Sequence, residues 1–285
     1  MGAKIKNHTV TRGYLAGWKH VDAKGSVGIW YFDIASGEVR LSPSVNASFA
    51  IAKAIYAPKI NGRRDDRLEN WFSSSETELC DFVRDYRRAS PRRWKPKAVY
   101  KALSGIVSLG YRGEYALRIV EQHLAAGMPA ATKEEVTLAA LNNLFTTAQD
   151  RIEFFLKGTA LLLEWDEPML ATNDTPFWDL TPISPAEPIG LFPLSPSRLM
   201  VFLPNQLRTP GQFRIIHRKG AEFQVAADFA RDAAMRMARK WVVCSSEEEA
   251  NRVKEYLTRE LLDEVLATDR LRFIEVAKEH LIFDI

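Results

Sequence analysis

The sequence is poor in cysteine and has no long apolar run. Its 285 residues include two cysteines, Cys80 and Cys244, and no Cys/His cluster has zinc-site spacing. Two thiols cannot build a disulfide framework, so the composition favours a reducing, cytoplasmic setting. The longest apolar stretch, FFLKGTALLLEW, is too short and too interrupted to span a bilayer. We therefore expect no membrane partner, and the opening residues show no signal peptide.

Sequence motifs of several enzyme classes are also missing. The chain has no Gly-Lys-Ser phosphate loop, no GxGxxG, no HExxH and no GxSxG elbow. It also lacks the Glu-x-Lys step of a common nuclease core. These absences disfavour kinase, dinucleotide-dependent and elbow-hydrolase functions. The net charge of +3 is only mildly basic, so it permits a nucleic-acid partner without arguing for one.

Hydrophobic periodicity divides the chain into strand-like and helical parts. Residues 27–42 predict two strands joined by a turn at Ser36-Gly37. From about residue 64 the apolar spacing becomes helical, with a break and a new N-cap predicted at Ser75 because Glu78 follows three residues later. After Gly158 the pattern returns to strands, of which RLMVFLP and QFRIIHRK are the clearest. Two more helices flank the strand WVVCSS.

This order predicts an α+β fold. We expect a mixed β-sheet built from N- and C-terminal strands, with a helical block of about residues 64–157 inserted between them. No flexible linker separates the halves, so residues 1–285 are predicted to form a single domain with a C-terminal helical extension of about residues 247–285. Two independent domains are the alternative.

The opening stretch NHTVTRGYLAGW, residues 7–18, combines polar and aromatic side chains near a chain end. An imidazole titrates near pH 6.5, so His8 is a candidate acid, base or metal ligand. In the structural alternative, Asn7 and His8 hydrogen-bond a turn while the tyrosine, leucine and tryptophan that follow pack into the core. Such packing would explain why this terminal segment need not fray.

An ordered set of short segments between residues 7 and 246 carries a family resemblance. The segments are NHTVTRGYLAGW, GIWYFDIASGE, AIYAP, RLENWFSSSETE, IVSLGYRGEY, ATNDTPFW and FPLSPSRLMVF. Together they resemble the bacterial family named domain of unknown function 4238. Two departures are Thr11, where the family usually has proline, and a late helix without the asparagine that the family often shows. The resemblance implies a shared fold and a shared site, but no reaction.

Polar residues within these segments form the predicted catalytic set of His8, Asp174, Glu78 and Arg112, with Glu69 as a further carboxylate. An imidazole and carboxylates brought together can perform acid–base chemistry or hold a divalent cation, which is the cofactor such a site would use. In the alternative, Asp174 stabilises a turn before proline and the glutamates form surface salt bridges.

The strongest local charge feature is RDYRRASPRRWKPK, where seven of fourteen residues are Lys or Arg. Cations bind phosphates, and exposed bases stack on aromatic rings. The predicted RNA- or DNA-binding residues are Arg87, Arg88, Arg92, Arg93, Trp94, Lys95 and Lys97. A merely solvated loop is the alternative.

These features support two hypotheses. The first is a nucleic-acid-cleaving enzyme, with or without a metal, in bacterial phage defence or a toxin-like role. The second is a non-catalytic nucleic-acid or protein binding module in which His8 and Asp174 are architectural. The first hypothesis needs the opening segment to fold back onto the proline-rich turn that contains Asp174.

Overall fold

The computed structural model describes residues 6–8, 10–21, 25, 27–43, 48–53, 59–60, 63–88, 94–112, 114–180, 189–203, 213–219 and 223–259. The helices are α1 Arg12–Leu15, α2 Arg67–Tyr86, α3 Pro96–Tyr111, α4 Glu114–Gly127, α5 Lys133–Leu156, α6 Gln224–Met237 and α7 Glu247–Arg259. The early strands are β1 Lys6–His8, β2 His20–Val21, β3 Val27–Asp33, β4 Glu38–Ser42, β5 Ile51–Lys53, β6 Lys59–Ile60 and β7 Arg63–Arg64. The later strands are β8 Thr159–Glu164, β9 Thr172–Asn173, β10 Trp178–Asp179, β11 Gly190–Ser195, β12 Arg198–Leu203, β13 Arg214–Lys219 and β14 Trp241–Cys244.

Two five-stranded sheets dominate the described part of the chain. One has the order β10-β11-β12-β8-β13, in which only the β8–β13 pair is parallel. The other is antiparallel and joins β2, β3 and β4 to β14 and β9. The pairing of β3 with β14 confirms that N- and C-terminal strands share a sheet. The other late strands, β8 and β10 to β13, form a separate sheet, so the long strands are divided between two sheets.

The helical block between the strand regions is confirmed as α2 to α5. Helices α2 and α3 pack closely, because a Cβ on Gly105 of α3 would lie 2.7 Å from the Leu79 side chain and 3.0 Å from the Ser75 carbonyl. Helix α5 packs on α3 and α4 and begins with a capping box between Thr132 and Glu135, as its sequence predicts. This block and the sheet that contains β12 share a large apolar core.

The predicted break in the first long helix is wrong, because α2 runs without interruption from Arg67 to Tyr86. The Ser74 hydroxyl donates to the Trp71 carbonyl at 2.7 Å, within the helix. Ser75 is buried against α3 instead of starting a new helix. Tertiary packing therefore overrides the local capping preference of this serine-rich stretch. The first part of the predicted C-terminal extension is α7. The rest of it, beyond Arg259, lies outside the described residues. Among the helices that are described, none is long and apolar enough to cross a bilayer.

The opening segment is anchored in the core through its aromatic side chains. Tyr14, Leu15 and Trp18 are fully buried. The Tyr14 hydroxyl donates to the Pro193 carbonyl at 2.7 Å and, having given its one proton there, accepts from the Thr172 hydroxyl at 2.7 Å. The structural interpretation of these apolar residues is therefore confirmed.

Arg87 holds the same segment from the end of α2. Its guanidinium donates to the carbonyls of Leu194 at 2.6 Å, Gly13 at 3.2 Å and Tyr14. Burial lowers the pKa of Arg87 to about 10, so it stays charged at neutral pH. Gly17 makes room for this group, because a Cβ there would lie 1.9 Å from the Arg87 Cζ.

Replacing Tyr14 with phenylalanine tests this anchor. We expect Tyr14→Phe to lower the free energy of unfolding by ~1–3 kcal/mol, since Thr172 and Pro193 lose a buried hydrogen-bond partner. The control is Tyr100→Phe, which removes an exposed hydroxyl bonded to Gln149 and should cost less than ~0.5 kcal/mol. Urea unfolding followed by tryptophan fluorescence measures both. Equal losses in the two variants would contradict the anchor.

Candidate functional site

The predicted site segments converge at one place in the described part of the chain. The opening segment reaches β9 through the Tyr14–Thr172 hydrogen bond. The end of α3 reaches the same region, because a Cβ on Gly110 would lie 2.7 Å from the Phe177 carbonyl. The chain beginning therefore folds back onto the 172–179 segment, as the catalytic hypothesis requires. That hypothesis also depends on where each polar side chain lies.

Thr11 is the N-cap residue of α1. Its side chain caps α1 by accepting from the Tyr14 backbone N–H at 3.3 Å. The same hydroxyl lies 3.6 Å from the Cys80 thiol of α2. Burial raises the pKa of Cys80, so it is a thiol at neutral pH and not an activated nucleophile.

Asp174 is buried and bonded to main chain. It is 8% exposed, and its Oδ1 accepts from the backbone N–H groups of Arg239 at 2.9 Å and Lys240 at 3.3 Å. Burial raises the pKa of this carboxyl, and those backbone hydrogen bonds oppose the rise. Asp174 thus holds the turn between α6 and β14. The neighbouring turn is stabilised by Asn173, whose Oδ1 accepts from the Thr175 N–H at 2.9 Å.

The structure places His8 in β1, where it pairs with Ile51 of β5. Only the backbone of His8 is described, so its predicted catalytic role stays a prediction. Within the described residues, no group of three His, Cys, Asp or Glu side chains is arranged to hold a metal ion.

The predicted Glu78 pairs with a lysine, and the carboxylate that bonds to Arg112 belongs to another residue. Glu78 forms a salt bridge of 2.7 Å with Lys101, and this hydrogen bond lowers the pKa of the Glu78 carboxyl. Glu69 lies in the first turn of α2. The salt-bridge alternative therefore describes the observed environment of Glu78.

Arg112 instead pairs with Glu76, a residue that the sequence reasoning missed. Its Nη1 donates to the Glu76 Oε1 at 2.7 Å, and its guanidinium carbon lies 4.6 Å from the centroid of the Phe72 ring. Arg112 is 1% exposed, whereas the Glu76 side chain is 40% exposed. A buried guanidinium is thus joined to a carboxylate that reaches solvent. On a continuous α2, Phe72 and Glu76 lie four residues apart on one face, which is the signal that could have found this pair.

The basic loop divides into an internal part and an exposed part. The Arg87 guanidinium donates to three main-chain carbonyls inside the fold. Arg87 is therefore not part of the exposed nucleic-acid-binding surface that the sequence predicts. Trp94 packs against the core, edge to face with Phe82 at 5.3 Å. Arg88, Lys95 and Lys97 are exposed. The predicted residues Arg92 and Arg93 lie outside the described residues.

A chain of hydrogen bonds connects this loop to the edge strand β13. Arg198 donates to the carbonyls of Tyr86 at 2.9 Å and Arg88 at 3.1 Å, and to the Glu164 Oε1 at 2.6 Å. His217 of β13 lies 2.7 Å from the other oxygen of Glu164. Sequence reasoning found the strand but missed this connection, since strand order is not a local property.

Comparison with protein-family models, curated proteins and solved structures finds no match to this chain. The resemblance to domain of unknown function 4238 therefore stays a prediction from the sequence.

Two substitutions at Asp174 separate its charge from its hydrogen bonds. A carboxyl whose pKa is raised in the folded state weakens folding as pH rises from its ordinary value of 3.8 through the raised value. Asp174→Asn keeps the Oδ1 acceptor and removes the charge. Its unfolding free energy should therefore improve relative to wild type as pH rises across that window. Denaturant unfolding at a series of pH values measures the difference.

Asp174→Ala is the companion variant. It leaves the Arg239 and Lys240 N–H groups without their acceptor, so we expect a loss of ~1–3 kcal/mol at neutral pH. An asparagine variant as unstable as the alanine variant at neutral pH would contradict the architectural role of the Oδ1 acceptor.

Proposed function

We propose that this protein binds nucleic acid through a basic face made of Arg88, Lys95, Lys97 and Lys219. The observation that carries the proposal is the contact between the loop and the edge strand through Arg198. This contact brings the chain at Arg88 to the end of the sheet where Lys219 pairs with Glu164. A set of cations held on a framework suits phosphate binding, because each phosphate contact releases condensed counterions.

The register of the sheet supports the inclusion of Lys219. Glu164 of β8 is flanked by Arg198 on β12 and by Lys219 on β13. Residues paired across adjacent strands share a face, so Lys219 lies on the side of the sheet where Arg198 meets the end of α2. Glu164 is engaged by Arg198 and His217, which limits its repulsion of a phosphate nearby.

The character of the basic face favours the phosphate backbone over the bases. Tyr86 is buried and Trp94 packs against the core, so neither ring is free to stack on an exposed base. Base stacking on aromatic rings is what usually strengthens single-strand binding. A face of cations alone should prefer duplex nucleic acid, which carries one negative charge per ~1.7 Å of helix axis, with little sequence selectivity.

Nucleic-acid cleavage and a role in phage defence stay predictions from the sequence. The arrangement of the described residues supports binding more directly than catalysis, because Asp174, Glu78 and Arg112 each have separate partners. The same titrations scored for strand breaks, with and without Mg²⁺, test the catalytic hypothesis.

Charge reversal at the start of α3 tests the proposed function. We expect Lys95→Glu combined with Lys97→Glu to reduce duplex affinity and to lower the slope of log K against log salt by about 2, one unit per lost phosphate contact. Acidic residues are favourable in the first turn of a helix, so this variant should fold. Fluorescence anisotropy over a range of salt concentrations gives this slope, once for a labelled duplex and once for a matched single strand.

The matched control reverses two exposed cations on α7, Arg252→Glu with Lys254→Glu, and changes the net charge equally. Helix α7 packs on the other sheet, against β3, β4 and β14. The control should retain nearly wild-type duplex affinity. An equal fall in duplex affinity in both double variants would show that net charge alone causes the effect. That result would overturn the assignment of this face.

A further inference from the structure

The Arg112 guanidinium has two buried donors that are unused within the described structure. Its Nη1 bonds to Glu76, while Nε and Nη2 have no hydrogen-bond partner among the residues described. Both atoms are out of contact with solvent. A buried donor without an acceptor lowers the stability of the fold, and the loss is larger when the group is charged. Folded proteins rarely leave such donors unmatched.

The two unused donors share one edge of the guanidinium. The N–H of Nε and the nearer N–H of Nη2 point the same way and form a fork that matches the two oxygens of a carboxylate or phosphate. Glu76 occupies the opposite side of the group through Nη1. The Phe72 ring lies against the guanidinium, as aromatic rings often do at arginine sites. One complete bidentate edge of Arg112 therefore lacks an acceptor among the residues described.

We propose that Arg112 is the receptor for a small oxyanion, a carboxylate or phosphate group, and that Glu76 competes with this ligand. The Glu76 side chain is 40% exposed and reaches the buried guanidinium from solvent. The negative charge of Glu76 opposes the ligand, so the affinity reflects the difference between the two anions.

This site is separate from the basic face. Lys95 lies at the N-terminal cap of α3 and Arg112 at its C-terminal cap, with sixteen helical residues between them. A helix of that length spans ~24 Å. Failure of nucleic-acid binding at one end would leave the oxyanion site at the other end untouched, so the two proposals can fail independently.

The test is Glu76→Gln, with Glu78→Gln as the matched control. Glutamine keeps an acceptor for Nη1 and removes the competing charge, while Glu78 lies on the same helix and pairs with Lys101 at the surface. Inorganic phosphate and acetate are titrated separately into the full chain, in the Lys95→Glu, Lys97→Glu background so that the basic face does not contribute. Sodium chloride at equal ionic strength is the reference, and calorimetry and thermal midpoints are the measurements.

We expect Glu76→Gln to bind phosphate, acetate or both on the order of fivefold more tightly than its parent, the factor expected from removing a like charge about 4 Å away in a water-like medium. Glu78→Gln should match the parent. Preference for phosphate or for acetate identifies which oxyanion the site takes. Adding Arg112→Lys to the Glu76→Gln chain should abolish the gain, since lysine keeps the charge without the fork.

Two results would overturn the proposal. One is equal anion affinity in the Glu76→Gln and Glu78→Gln chains. The other is no effect of either oxyanion beyond that of chloride in Glu76→Gln. If the Arg112→Lys variant does not fold, the comparison of the two glutamine variants still decides, because neither removes a buried side chain.

Discussion

The fold depends on one buried cation, Arg87, which connects three parts of the chain that are distant in sequence. Its guanidinium donates hydrogen bonds to carbonyls of the opening segment and of β11. Its backbone forms the C-cap of α2. A guanidinium inside the fold lowers stability unless its donors find acceptors, so these three carbonyls favour one arrangement of the opening segment, α2 and the sheet. Tyr14 adds a second constraint at the same place through Thr172 and Pro193. The convergence of the site segments follows from these two residues.

Much of the fold could be predicted from sequence periodicity, because periodicity reports which face of an element is buried. The hairpin around Gly37, the strand β12 and the capped start of α5 each have a strong local signal. The continuity of α2 could not be predicted in this way, since Ser75 has the features of a cap and its packing against Gly105 is a long-range contact. The division of the strands into two sheets depends on long-range pairing, which local patterns do not encode.

The wrongly predicted break in α2 also explains why the sequence reasoning grouped Glu78, and not Glu76, with Arg112. A break at Ser75 disconnects Phe72 from the residues that follow, so Glu78 seems as good a partner for Arg112 as any other glutamate. In a continuous helix, Phe72, Glu76 and Cys80 lie on one stripe, and Glu78 points elsewhere. The stripe contacts Arg112 at one end and Thr11 at the other. The convergence of segments was therefore predictable, whereas the identity of the carboxylate required the correct helix phase.

The arginines of this protein can be sorted by how many of their donors are used. Arg87 donates through all three guanidinium nitrogens to main-chain carbonyls, and Arg198 donates to two carbonyls and a carboxylate. Such arginines stabilise the fold and have little left to offer a ligand. Arg112 is more deeply buried than either, but two of its nitrogens have no acceptor in the described structure. An unmatched buried charge lowers stability, and a ligand that completes its hydrogen bonds recovers that loss on binding. Of these three arginines, the one with unmatched donors is therefore the one whose surroundings are suited to recognition.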